Sequence, residues 1–266
     1  MKITRSSAFL AGYYICLLGW WVLIQFYKVT DQSINIVFAF SYGLIPLLGG
    51  GLGLFRSKDW GFLKSVLGKA LFFFSLGLIT WGIGECIWSY YTIFLKVEIP
   101  YPSWSDAGFI ISWPLWAIGV YHLSHATGAK YGLKRTPGQL FLFILPILIA
   151  IISYYLLVIV ARSGSITSGG GPLKIFFDLA YPIGDAIVLT IALLVYGLSF
   201  KYLGGRFKWP VIITLFGFIF NYAADFGFSY TTTVGTFYNG GLVDLLFTTA
   251  MFVLSFGINS FATKDE

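Results

Sequence analysis

The stretch "WGIGECIWSYY", residues 81–91, places Glu85 inside an otherwise apolar and aromatic run from about Val66 to Leu95. The run exceeds the roughly 20 residues a helix needs to cross the hydrocarbon of a bilayer. A carboxylate in its interior costs about 2.5–3.5 kcal/mol on insertion scales, so it must be neutral, paired or solvated. Working outward, comparable runs lie at about 8–27, 33–55, 66–95, 105–125, 139–161, 173–200, 208–230 and 241–261. They predict an all-α, polytopic membrane protein of eight transmembrane helices, one domain over residues 1–266. Composition agrees: 58% hydrophobic residues, 11% charged and a mean hydropathy of +0.82 exclude an ordinary soluble globule, whose charged fraction is about a quarter. The first run follows "MKITRSS", carries Trp20 and Trp21 and lacks a small-residue cleavage site, which predicts a retained helix rather than a signal peptide.

Orientation follows from the basic residues, which are held on the cytoplasmic side of short loops. With the N-terminus inside, the inner side collects Lys2, Arg5, Arg56, Lys58, Lys64, Lys69, Lys130, Lys134, Arg135, Lys201, Arg206, Lys208 and Lys264, or 13 of the 17 basic residues. Lys28, Lys96, Arg162 and Lys174 fall outside. Both termini are therefore expected in the cytoplasm, in the inner membrane of a prokaryote. The net charge of +6 then describes a basic rim facing anionic lipid, and no nucleic-acid partner is implied. Cys16 and Cys86 lie within spans and suggest no disulfide framework.

The opening stretch has a counterpart. "WGIGECIWSYY" aligns with "NYAADFGFSYT" (221–231), matching Glu85 to Asp225, Trp88 to Phe228, Ser89 to Ser229 and Tyr90 to Tyr230. The helices that follow, and one other, begin alike: Asp106-Ala-Gly-Phe109, Asp178-Leu-Ala-Tyr181 and Asp244-Leu-Leu-Phe247, with Asn35-Ile-Val-Phe38 as a neutral version. This predicts a repeated helical hairpin within two parallel halves of four helices.

Six acids lie within helices or at their outer ends: Glu85, Asp106, Asp178, Asp185, Asp225 and Asp244. Asp106 and Asp244 also suit first-turn caps, with Ser103 or Ser105 available beside Asp106. Glu85, Asp185 and Asp225 also suit protonated carboxyls that join helices through Ser89, Ser229 or Asn221. Asp178 and Asp185 stand two turns apart on one helix face, and "YPIGD" puts a proline kink immediately before Asp185. Aromatic residues one turn from an acid can wall a pocket that favours a cation or an amine, or can belong to an interfacial belt. The candidate ligand-binding set is Glu85, Trp88, Tyr90, Asp106, Asp178, Tyr181, Asp185, Asp225, Tyr230 and Asp244. His122 and His125, three apart at an inner helix end, are the only histidines, so neither a haem pair nor a three-histidine zinc site is available. No cofactor or metal is assigned from the sequence.

"PYPSWSDAGFIISWP" (100–114), with "DLAYPIGD" (178–185) and "YAADFGFSY" (222–230), resembles the multi-pass N-terminal membrane modules found ahead of diguanylate cyclase domains in bacterial signalling proteins. The similarity covers roughly residues 66–261. It implies a sensory or ligand-binding membrane module. The chain departs from the pattern at "ATKDE" (262–266), where no cyclase follows, so a separate signalling partner or a homo-oligomer would carry the output. The reading is thus a membrane-embedded sensor with an acidic, aromatic site in its outer half for a small cation or cationic metabolite. The alternatives are a cation or amine transporter or channel using the same site and, as a minor one, an intramembrane aspartyl hydrolase; no specific enzyme signature is present.

Overall fold

The computed structural model describes residues 3–30, 33–97, 99–167 and 171–262; Lys2 and Lys264 lie outside the described residues. Among these the chain is helical, in the order α1 (Arg5–Phe26), α2 (Ser33–Asp59), α3 (Val66–Tyr90), α4 (Trp104–Ala126), a short α5 (Ala129–Leu133), α6 (Thr136–Ser153), α7 (Pro172–Ser199), α8 (Lys208–Thr233) and α9 (Leu242–Asn259). Wider i→i+5 hydrogen bonding carries α3 on through Tyr91–Leu95 and α6 through Tyr154–Val160.

Seven of these helices, namely α1, α2, α3, α6, α7, α8 and α9, are long and apolar enough to cross a membrane, which marks the chain as an integral membrane protein. The eighth expected span, α4, forms a helix of 23 residues but does not meet that standard of apolarity. Its sequence holds Asp106, His122, His125 and the three serines Ser105, Ser112 and Ser124.

Small residues set the packing. A methyl group added at Gly108 on α4 would lie 2.7 Å from both Cα and N of Gly84 on α3, so these two backbones touch. Gly77 lies against Trp116, and Gly119 lies under Phe74, so α3 and α4 run antiparallel along most of their length. On α8 and α9 the same arrangement joins Gly217 to Leu254 and Gly257 to Thr214. α2 lies antiparallel to α3, with Gly43 on Glu85 and Gly50 on Ser75, and parallel to α9, with Gly49 on Ser255 and Gly53 on Ile258.

These contacts close a ring in the order α2, α3, α4, α7, α8, α9 and back to α2. α1 packs outside α2 and α9, and α6 packs outside α7. Phe143, Ile147 and Ile151 on α6 remain exposed, as suits a helix whose outer face meets lipid rather than protein. α7 is helical on both sides of Pro182, which lies inside it three residues before Asp185. Halfway along the ring's axis the interior is filled by Phe74, Trp116 and Phe218, all fully buried, with ring centroids 6.0 Å apart for Phe74–Phe218 and 5.6 Å for Trp116–Phe218.

Candidate functional site

Above that aromatic floor, towards the end that holds the α3–α4 and α8–α9 connections, the ring encloses a cavity of about 560 Å³. Its walls are aromatic, from Trp81, Trp88, Phe109, Trp113, Phe228 and Phe247, and it reaches the loop residues Arg162, Ser165 and Thr167. All six acids anticipated from the sequence, Glu85, Asp106, Asp178, Asp185, Asp225 and Asp244, line it.

Glu85 is 4% exposed and packs over Gly43, where any side chain would collide with its Cγ at 2.5 Å. Tyr42 and Asp244 flank it, and Tyr42 is placed to donate to its carboxyl. Its Oε1 has no hydrogen-bond partner among the described residues. A buried polar atom left open in this way costs about 1–3 kcal/mol.

The remaining acids are held in two ways. Asp106 Oδ2 accepts the Ser103 N–H at 2.6 Å, closing a capping box at the start of α4, while its Oδ1 accepts the Tyr181 hydroxyl at 2.6 Å. Asp244 likewise accepts the Gly240 N–H at 2.6 Å ahead of α9. That loop is also fixed by two other helices, since Gln25 on α1 donates to the Gly240 carbonyl at 2.8 Å and Asn35 on α2 to the Asn239 carbonyl at 2.9 Å. Asp178 Oδ1 accepts the Tyr101 hydroxyl at 3.0 Å. Asp185 on α7 and Asp225 on α8 stand within hydrogen-bonding reach of each other, and Asn221 donates to Asp225 Oδ2 at 2.8 Å. Asn221 belongs to the same helix as Asp225, so this bond does not join helices.

The acids therefore form three levels. Arg162 marks the outermost, where its guanidinium donates to the Asp178 carbonyl at 2.7 Å and to Ser229 Oγ at 3.3 Å. Asp106, bonded to Tyr181, lies about one turn deeper, and Asp185 a further turn below that. The whole stack is about 10 Å deep, from seven residues of α7 at 1.5 Å each. Tyr101 sits at the mouth, outside the helices. Burial, followed by its bond to Asp178, pushes its phenol above the ordinary range.

Of the ten residues proposed from sequence, eight line the cavity: the six acids with Trp88 and Tyr181. Trp88 meets Phe228 edge to face at 5.9 Å, and Tyr181 meets Trp113 edge to face at 5.0 Å. Tyr90 and Tyr230 are corrections. Tyr90 is 51% exposed and stacks on Phe94, and Tyr230 is 42% exposed and stacks on Phe226, both on the outer side of the ring. The candidate set missed, among others, Tyr42, Arg162 and Lys174 and the wall aromatics Trp81, Phe109, Trp113, Phe228 and Phe247. His122 stacks on Phe73 on the α3–α4 pair, far along α4 from Asp106. Among the described residues no three His, Cys, Asp or Glu side chains are grouped to hold a metal ion. No protein-family model, curated protein or solved structure matches the chain.

Proposed function

We propose that the chain is a multi-pass sensory or ligand-binding module of a prokaryotic inner membrane, which takes a small cation or cationic metabolite into the cavity from outside and passes on its occupancy. One observation carries this reading: carboxyls from five helices converge on a single aromatic-walled cavity, where ring faces and carboxylates together favour a positive charge. The floor of Phe74, Trp116 and Phe218 supports binding over passage, because a transporter or channel would need a route past it. A separate signalling protein or a second copy of the chain would receive the signal.

The purified protein provides the test. Butylammonium should raise its thermal midpoint, since a ligand at 100 times its Kd adds about 2.7 kcal/mol to the folded state. Butanol, with the same chain and no charge, should not. Equal shifts from the two would sink the proposal. Uptake of labelled butylamine into proteoliposomes should match that of protein-free vesicles, and accumulation would convert the reading to a transporter.

The same reading takes α4 as an eighth crossing, because it lies antiparallel along α3, from Gly84 opposite Gly108 to Phe74 opposite Gly119. Both termini then face the cytoplasm. Reporter fusions after Leu133 and Gly205 should read cytoplasmic, and fusions at 164–167 and 234–239 external. A reversed pattern would place the cavity on the inner side.

The repeated hairpin also belongs to this reading. Gly77 meets Trp116 as Gly217 meets Leu254, and Gly119 meets Phe74 as Gly257 meets Thr214. In both contacts the second pair stands 140 positions later on α8 and 138 later on α9. Those offsets also carry Glu85 to Asp225, Asp106 to Asp244 and Phe109 to Phe247.

A further inference from the structure

The correspondence between α3–α4 and α8–α9 extends to the helices that precede them. Shifting α2 by 143 positions brings Asn35 to Asp178, Phe38 to Tyr181 and Tyr42 to Asp185. The contacts follow. Asn35 is held by the loop before α9, at Asn239, and Asp178 by the loop before α4, at Tyr101, and 239 and 101 differ by the same 138 positions as Asp244 and Asp106. Tyr42 stands beside Glu85 as Asp185 stands beside Asp225. The ring is thus two three-helix units, α2–α4 and α7–α9, facing each other across one cavity; Asp185 and Asp225 pair within the second unit, whereas Glu85 of the first is met by Asp244 of the second.

We infer that the cavity is a two-ended site for an elongated dication, a linear aliphatic diamine or polyamine, with one ammonium at Glu85–Asp244 and the other at Asp185–Asp225. This rests on the reading of the cavity as a cation site and names the class of cation. A single small ion would use one centre and leave the other uncompensated. An aliphatic chain with a charge at each end satisfies both and lays its methylenes against Trp81, Phe109, Phe228 and Phe247.

Glu85 lines the cavity, and its buried Oε1 is an acceptor to which no donor is bonded among the described residues. An ammonium offers three. The two ends are not identical, because Tyr42 takes the place of a second carboxylate from the preceding helix, and Asp244 supplies it instead. Arg162 and Lys174 stand at the mouth, Arg162 tied to the Asp178 carbonyl and Ser229 and Lys174 lying 5.9 Å over the Tyr101 ring. They lie outside both centres and favour a ligand that passes the rim and is held below it, rather than one left spanning it.

The experiment is calorimetric titration of the full chain in detergent with butylamine, the diamines from 1,3-diaminopropane to 1,8-diaminooctane, and 6-aminohexanoate. The expected result is a maximum within the diamine series at least about tenfold tighter than butylamine, a difference of about 1.4 kcal/mol. Glu85→Gln and Asp225→Asn should each return the best diamine to butylamine's affinity. Diamines no tighter than butylamine overturn the two-ended site and leave the cation reading standing. Tighter binding of 6-aminohexanoate overturns it in favour of a zwitterion held by Arg162 or Lys174. Failure of every amine to bind removes the cation reading as well. The comparison among ligands uses the unaltered protein, so it holds even where a variant does not fold.

Discussion

Gly108→Val should lower the stability of the protein by about 3 kcal/mol, the upper end of what overpacking a close contact costs. The reason is the identity of the atoms in the way. A methyl at this position meets Gly84 Cα and N and the Thr80 carbonyl, each at 2.7 Å. None of these is the end of a side chain that can swing aside, so α3 and α4 must separate along the contact. Leu254 beside Gly217 has a rotamer to change; the Gly84 backbone has none. The separation would also move Asp106, two residues away, from Tyr181. At roughly 2–4 °C per kcal/mol for a chain of this size, the thermal midpoint should drop by about 6–12 °C. Gly51→Ala is the control, because nothing lies within 4 Å of its added methyl. It should be neutral or slightly stabilising, since alanine has the higher helix propensity. A Gly108→Val protein that melts with the wild type would mean that the α3–α4 contact is looser than described.

The acids were legible in the sequence because charge is rare and expensive in an apolar segment, so each one within a span asks for a partner. Eight of the ten chosen residues line the cavity, and the two that do not share one cause. Tyr90 follows Glu85 by five residues, as Tyr230 follows Asp225, and five residues turn a helix by about 140° from the acid's face. Trp88 and Phe228 follow by three, about 60° away, and stay on the cavity side. The alignment of the two stretches could pair these aromatics but could not tell which pair faced inward, and helical phase decides it.

Tyr42 was invisible for a different reason. In a chain with 20% aromatic residues a tyrosine on an apolar helix carries no signal, and its relation to Glu85 depends on the register of α2 against α3, set by Gly43. Arg162 follows Tyr154–Val160, where i→i+5 bonding departs from the 3.6-residue period, so its direction could not be phased from the pattern before it. The helix count was readable to within one crossing. α4 fell short of span-like apolarity because Asp106, which belongs to the site, dilutes its hydropathy together with its three serines and two histidines.

Asp106→Ala should be as damaging as Gly108→Val, although it removes atoms rather than adding them. One carboxylate serves two helices: Oδ2 accepts the Ser103 N–H at 2.6 Å and Oδ1 the Tyr181 hydroxyl at 2.6 Å. Loss of the cap costs about 1 kcal/mol. Leaving the Tyr181 hydroxyl unpaired inside the bundle adds about 1–3 kcal/mol, for a total of about 2–4 kcal/mol. Asp244→Ala should cost less, about 1–2 kcal/mol, since the bond from Gly240 is a capping bond alone. Asp106→Asn separates the two duties, because an amide can keep one oxygen for Tyr181 but turns a second N–H towards the Ser103 N–H. The decisive measurement is a double-mutant cycle between Asp106→Ala and Tyr181→Phe. Removing both partners should recover about 1 kcal/mol or more relative to the sum of the single changes, because no orphaned hydroxyl remains. Strict additivity would mean that Asp106 only caps α4, and that α4 and α7 meet at the cavity without the bond that sets its middle level.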